Sequence, residues 1–238
     1  MRKLIIVIAV LLLIAGIGIT SYPHIQQYLY RQYARGVIED FEERLEAYRT
    51  ESTNSPAEDE EHPLHWLYLL IVEYNKQLYE SRQAEFVDPF SYSQVSFSLC
   101  RFGFEEEMIG YLEIPRMNIE LPIFLGANNE NMRRGAAHLT QTSLPVGGVN
   151  TNAVIAAHRG MSTAAMFRDI EKLQVGDDIF ITNFYQTLQY QVVETRIILP
   201  TQVETILIQS DRDLVTLITC HPLRHNYQRY VVFAERVR

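Results

Sequence analysis

The sequence predicts a mainly β fold, in which a barrel or sandwich follows two helices and an N-terminal membrane-spanning helix. Three observations lead to this prediction. An unbroken apolar run stands near the N-terminus, apolar residues then recur every three or four positions through two long segments, and short β-branched runs follow Met108. We therefore divide the chain into a cytoplasmic tip and anchor at residues 1–22, a helical region with an acidic linker at 23–107 and a β domain at 108–238.

The apolar run at residues 4–19, together with the residues just after it, is about long enough to cross a bilayer as a helix. Arg2 and Lys3 precede the run, and positive charge at that position favours a cytoplasmic N-terminus. We therefore expect a single-pass protein of the cell membrane, with its folded part on the outer face. The alternative is a cleaved signal peptide, for which Gly16 and Gly18 offer a poor cleavage site.

Two amphipathic helices are predicted after the anchor. The first covers residues 25–49 and the second residues 63–83, and each has apolar residues at steps of three and four. The segment between them, residues 50–61, is acidic and contains a Ser-Pro pair, which predicts an exposed connection. Nothing in either helix looks catalytic, and we expect both of them to cover a sheet.

Seven short segments predict strands, a number that is sufficient to close a barrel. One short helix is predicted among them, near residues 164–173 and before a Gly-Asp-Asp turn. The predicted strands are residues 109–114, 119–124, 153–158, 179–183, 189–199, 215–220 and 230–237.

Composition and charge exclude several classes of function. The 238 residues carry a formal net charge of −8, and the chain lacks the clustered Lys and Arg that neutralise nucleic-acid phosphates. Its two cysteines, Cys100 and Cys220, do not have the spacing of a metal site, so we expect neither a metal nor another cofactor. Cys220 is either a thiol or half of a single bridge to Cys100, which an extracellular location would permit.

Cys220 ends a β-type run, where a cysteine is more often a buried apolar residue than a nucleophile. Residues 221–228 lead into the next predicted strand, and a hairpin closed symmetrically around them places Arg229 opposite Cys220. A guanidinium group at that position favours the thiolate and can hydrogen-bond a carbonyl oxygen that gains negative charge. A slip of one residue would instead send Arg229 to the other face, where a surface ion pair is its alternative role.

A thiol nucleophile also needs an acid/base group, and spacing alone does not choose among the seven histidines. His158 ends another β-type run, and sites on barrels are often built at strand ends, so His158 is the favoured partner. His138 is a candidate base or a structural hydrogen-bonding group, and His225 is a third candidate because it lies close to Cys220 in the sequence. His221 directly follows Cys220, so an extended chain points it to the other face.

Three segments around these residues carry motifs of a known enzyme family. They are residues 157–160 (AHRG), 216–220 (TLITC) and 226–229 (NYQR). In this order they resemble the catalytic-histidine segment, the TLxTC motif and the sequence that contains the catalytic arginine of the sortases. Further similar segments at residues 110–115, 143–148 and 172–177 follow the family's order, and the resemblance extends from about Tyr74 to the C-terminus.

The resemblance implies an eight-stranded sortase barrel with His158, Cys220 and Arg229 as catalytic residues. It implies a cysteine transpeptidase that cleaves an LPxTG-like sorting signal through a Cys thioester and transfers the acyl group to an amine. In class C, the pilus-assembling type, that amine is a pilin lysine. The alternatives are a sortase of another class, which attaches surface proteins to a cell-wall peptidoglycan precursor, and a hydrolytic cysteine peptidase.

Asp88, Pro89 and Phe90 support the class C assignment. They look like the lid of these enzymes, in which an acidic and an aromatic residue lie over the active site in the resting state. Their position between the predicted helices and barrel favours a lid over a plain Asp-Pro turn. Two departures are notable: many class C members have a C-terminal membrane helix, whereas we expect only an N-terminal anchor here, and His221 stands where a small polar residue is common.

Overall fold

A closed β-barrel with helices packed against it makes up most of the structure. The computed structural model describes residues 2–54, 63–84, 99, 107–161 and 163–237. Within these ranges it contains helices α1, Arg2–Asn54, α2, Pro63–Glu80, and α3, Asn129–Arg134, together with eight strands. The strands are β1, Met108–Ile114; β2, Ile119–Leu125; β3, Ala136–His138; β4, Thr151–Ala156; β5, Asp178–Asn183; β6, Thr187–Ile198; β7, Asp213–His221; and β8, Gln228–Arg236.

The barrel closes in the strand order β1-β2-β3-β4-β7-β8-β6-β5. β2 is parallel to β3 and β4 is parallel to β7, whereas the other neighbouring strands are antiparallel. Within the described residues, each of the eight strands thus has a hydrogen-bonded neighbour on both sides. Seven strands lie where the sequence predicts them. The eighth, which the family resemblance implied, is the short strand β3.

Strands β4, β7 and β8 are buried on both faces. Ile155 and Leu217 belong to the main apolar core, whereas their neighbours Val154 and Ile218 belong to a second apolar cluster. The 3₁₀ turn Val203–Ile206 covers this second cluster. Successive residues of a strand face opposite sides, so burial of both faces requires the nearly continuous apolar runs seen here. These strands, which lead into the predicted site residues, are therefore held firmly from both sides.

Helix α1 is continuous, although the sequence predicts an anchor and a separate amphipathic helix. Pro23 lies inside it, where proline removes one backbone hydrogen bond. Among the described residues α1 is the one helix that is long and apolar enough to cross a membrane, and its apolar N-terminal side chains are exposed. Farther along, Ala34, Ile38, Phe41 and Leu45 are buried at steps of three and four. One helix is thus compatible with a membrane anchor at its start and covers the barrel at its end.

Helix α2 also covers the barrel, as the sequence predicts. Leu64, Leu67 and Ile71 form its buried stripe. Asn75 on the same side is only 5% exposed, because its amide makes two hydrogen bonds with the backbone of Leu144, one accepted at 2.8 Å and one donated at 3.1 Å. This pair of bonds fixes α2 to the loop that precedes β4.

The short helix predicted at residues 164–173 is wrong for most of its length. Only the 3₁₀ turn Ile170–Lys172 is helical there. Met166 has a φ of 42°, a left-handed conformation that an α-helix of L-residues excludes. The short helix between strands is instead α3, which begins where the Asn128 side chain accepts a hydrogen bond from the Asn131 N–H at 2.8 Å.

Candidate active site

Cys220 and Arg229 face each other across the β7–β8 hairpin. The ladder pairs Cys220 with Arg229 and the next residue, His221, with Gln228. This is the register of the symmetric hairpin, and directly opposed residues have Cβ atoms about 4.5–5.5 Å apart. Cys220 is a partly buried free thiol, and Cys100, its partner in the alternative of a disulfide bridge, lies outside the described residues.

The parallel pairing of β4 with β7 brings His158 to the same place. The last paired residues of these strands are Ala156 and Ile218. Continued for two residues past the end of β4, this register predicts that His158 lies beside Cys220. Cys220 on β7 therefore lies between β4, the strand that leads into His158, and β8, the strand that bears Arg229.

The surroundings of His158 favour its neutral form. Burial lowers the pKa of His158 below its ordinary value, and the positive charge of Arg133 on α3 lowers it further. The backbone at His158 is also fixed, since its carbonyl accepts a hydrogen bond from the Phe167 N–H at 3.0 Å. A neutral imidazole next to a thiol is able to accept the thiol proton.

The other candidate histidines, all within the described residues, do not occupy comparable positions. His138 is fully buried, and its Nε2–H donates to the Ser143 carbonyl at 3.0 Å. Burial lowers the pKa of His138 to about 4, so it remains a neutral structural group. His225 is exposed in the β7–β8 loop, with its ring 5.5 Å from that of Tyr227. His221 points away from the thiol, as strand alternation predicts.

Arg229 is held by the loop of its own hairpin. Its Nη1 donates to the carbonyl of Asn226 at 2.6 Å and to that of Gln228 at 2.9 Å. These bonds hold the guanidinium group at the end of the hairpin, on the residue that is paired with Cys220. A thiol with an imidazole and a guanidinium group beside it is equipped for nucleophilic attack on a carbonyl carbon and for stabilising the negative oxygen that results.

Part of the predicted site lies outside the described residues. The predicted lid, Asp88, Pro89 and Phe90, falls there, and so does Cys100. Their roles therefore stay predictions. Across the ranges that the structure does describe, no three His, Cys, Asp or Glu side chains are grouped as a metal site requires.

Two residues at the site were not singled out from the sequence. The guanidinium group of Arg159 lies behind Cys220, with Nη1 at 3.3 Å from the Cys220 carbonyl oxygen, and Glu171 pairs with it at 2.7 Å. Strand alternation contains a signal for Arg159, because the residue after His158 must face the same way as the residue after Cys220. No sequence pattern indicates Glu171, which comes from the loop between β4 and β5.

Comparison with curated proteins finds sortases. Sortase A from Bacillus anthracis is 28% identical over 164 residues, which cover 68% of this chain and 76% of that protein. Sortase D from Bacillus subtilis (strain 168) is 29% identical over 131 residues, which cover 54% of this chain and 63% of that protein. Both matches are with enzymes of one family, although their class names differ.

Several solved structures that are similar to this chain are sortases C. Sortase C1 from Streptococcus agalactiae is 36% identical with a TM-score of 0.66, covering 74% of this chain and 90% of that one. Sortase C from Clostridium perfringens SM101 is 30% identical with a TM-score of 0.67, covering 85% of this chain and 99% of that one. These neighbours agree with the class that the sequence motifs predicted. A family model for the Sortase domain matches residues 112–237, more than half of the chain, and this protein therefore belongs to the sortase family of cysteine transpeptidases.

Proposed function

We propose that this sortase joins proteins through an LPxTG-like sorting signal, with Cys220 as nucleophile, His158 as acid/base and Arg229 as the group that stabilises the carbonyl oxygen. One observation carries the proposal. The β4–β7–β8 register places Cys220 between the strand that leads into His158 and the strand that bears Arg229. Sortases act on proteins that carry sorting signals, which gives the substrate its general class.

In the first half of the reaction, the Cys220 thiolate attacks the Thr carbonyl carbon of the sorting signal. The developing oxyanion is stabilised by the N–H groups of Arg229. Protonated His158 donates its proton to the leaving amine as the C–N bond breaks. The products are a thioester between the substrate and Cys220 and a free C-terminal fragment.

In the second half, His158 accepts a proton from an incoming amine, which attacks the thioester carbonyl carbon. The C–S bond breaks, an amide forms and the Cys220 thiolate is restored. Binding energy from the acceptor decides whether an amine or water completes this step.

A pilin lysine is the acceptor that we propose. The similarity to sortases C supports this choice, and the similar structure of Streptococcus pneumoniae sortase C concerns pilin substrate specificity. The amine of a cell-wall precursor is the acceptor under the second candidate function, for which the similarity to sortases A and D is the argument.

Product analysis tests this proposal. The full chain in detergent micelles is given an LPxTG peptide with a lysine-containing pilin peptide, with a short glycine peptide, or with no added amine, and the products are identified by mass spectrometry. We expect a new amide to the lysine ε-amine. Cleavage that yields only the carboxylic acid, whatever amine is added, would show a peptidase instead. Transfer to the glycine peptide alone would favour the cell-wall function.

The proposal includes an outward-facing barrel, anchored by residues 1–22, and a lid made by Asp88, Pro89 and Phe90. A membrane-impermeant thiol reagent added to intact cells should then modify Cys220, and it should do so faster in Phe90→Ala because the thiol is less covered. Absence of modification in both proteins would contradict the orientation. Equal rates in the two would contradict the lid.

A further inference from the structure

A second set of polar side chains lies behind the proposed triad. Because successive residues of an extended chain face opposite sides, Arg159 and His221 share the side opposite to His158 and Cys220. Arg159 Nη1 lies 3.0 Å from His221 Nδ1. Arg159 directly follows His158 in the chain, and His221 directly follows Cys220. The Arg159–His221 pair is therefore connected to both proposed catalytic residues through the backbone, while its side chains lie on the opposite face from theirs.

Arg159 is a buried cation with several partners. Its side chain is only 6% exposed, and its Nη2 forms an ion pair with Glu171 at 2.7 Å. The guanidinium carbon lies 5.7 Å from the centre of the Tyr230 ring on β8. Burial of a charge is costly unless the charge is paired and hydrogen-bonded, so this side chain occupies its position only because these partners are arranged around it.

Arg159 continues the attachment of β4 to β7 beyond the last paired residues. The Ala157 N–H donates to the Ile218 carbonyl at 3.3 Å, and the Thr219 hydroxyl donates to the Ala157 carbonyl at 2.7 Å. In the third hydrogen bond, Arg159 Nη1 donates to the Cys220 carbonyl at 3.3 Å. These three bonds bracket the backbone positions of His158 and Cys220, and two of them, from Thr219 and Arg159, are made by side chains instead of by the ladder.

His221 fixes the orientation of this guanidinium group. Arg159 can only donate, so its contact with His221 is a hydrogen bond in the tautomer in which Nδ1 is the acceptor. The same Nδ1 lies 3.1 Å from Glu171, whose carboxylate can only accept. The same carboxylate oxygen, Glu171 Oε1, pairs with Arg159 Nη2 at 2.7 Å. The three side chains therefore act as one unit, centred on Arg159.

We propose that Arg159, oriented by His221 and Glu171, is a positioning residue that sets the spacing of His158 and Cys220. The inference rests on the proposed function in one respect, namely that His158 and Cys220 react together. It assigns to Arg159 no contact with the substrate. Its effect on the reaction is therefore an effect on alignment, which is expected in kcat and in the reactivity of the thiol and not in substrate binding.

Kinetics of Arg159→Ala test the proposal. In the full chain, kcat for LPxTG peptide acylation should fall on the order of 10²-fold, as when reacting groups are displaced by about 1 Å, while KM changes less than about twofold. Arg116→Ala is the matched control, because Arg116 is an exposed arginine with a single long ion pair to Asp177 at 3.8 Å. A rise in KM with unchanged kcat would overturn the inference, since it would place Arg159 in contact with substrate.

A second measurement needs no substrate. The rate at which iodoacetamide modifies Cys220 is followed against pH, because the thiolate is the reactive form. Loss of alignment with His158 should move the profile of Arg159→Ala to higher pH by at least about half a unit. A lower melting temperature with an unchanged profile would show that Arg159 only stabilises the fold. This readout holds even if the peptide is not a substrate, so failure of the proposed function and failure of the inference are distinguishable.

Two substitutions of His221, which leave Arg159 in place, test the proposal if Arg159→Ala does not fold. His221→Asn keeps an acceptor near the position of Nδ1 and should retain most of the activity, whereas His221→Leu removes the acceptor and should lower kcat several-fold, within the roughly 10²-fold range of alignment effects. Equal kcat in His221→Asn, His221→Leu and the wild type would overturn the role of His221 in orienting Arg159.

Discussion

Replacement of Cys220 by alanine is expected to abolish formation of the acyl-enzyme with an LPxTG peptide. The thioester requires a sulfur nucleophile at this position, and Cys220 is the free cysteine of the described residues, on the strand between β4 and β8. Intact-protein mass spectrometry after acid quenching gives a direct readout, because the wild type gains the mass of the acyl fragment and the variant does not.

Cys100→Ala is the control for this experiment, because it removes the second cysteine of the sequence and leaves the proposed nucleophile in place. It should form the acyl-enzyme. An acyl adduct on Cys220→Ala, or turnover equal to that of the wild type, would end the proposed mechanism.

Replacement of Arg229 by alanine should have the second-largest effect, a fall in kcat/KM for acylation on the order of 10²–10³-fold, as for loss of an oxyanion donor. Arg229→Lys should recover only part of the activity, because an ammonium group cannot reproduce the planar arrangement of guanidinium donors. Initial rates of peptide cleavage, measured at several peptide concentrations, provide kcat and KM for each protein.

Arg224→Ala is a suitable control for Arg229→Ala, since Arg224 is exposed in the same loop. Arg229 also donates to the carbonyls of Asn226 and Gln228, so its removal alters the loop, and the melting temperature of each variant must be compared. Retention of wild-type kcat/KM by a folded Arg229→Ala would contradict the proposed role of the arginine.

Much of the barrel could be predicted because its strands carry local signals. β-branched runs bounded by Gly, Pro, Asn and Asp located seven of the strands, and these signals act within a few residues. The strand β3 has only three residues, too few to establish an alternating pattern, so it followed from the family resemblance alone. The error at residues 164–173 has a local cause as well, because the positive φ of Met166 is not visible in an apolar pattern.

The part of the site that is formed by residues close together in the sequence was predictable. The opposition of Cys220 and Arg229 follows from one hairpin, whose register can be estimated from the loop length. The approach of His158 depends on parallel pairing of β4 with β7, which are far apart in the sequence, and no local pattern specifies that pairing. The contact of Arg159 with Glu171 depends on a non-repetitive loop and required the structure.

The continuity of α1 gives the enzyme a fixed reach. Residues 4–19 and the buried positions that begin at Ala34 belong to one helix, and a helix rises about 1.5 Å per residue. The barrel is therefore carried on a stiff stalk of about 20 Å instead of a flexible tether. If the apolar end is anchored in a membrane as we propose, the helix would hold the barrel at a set distance from that membrane, and substrates would have to be presented at that distance.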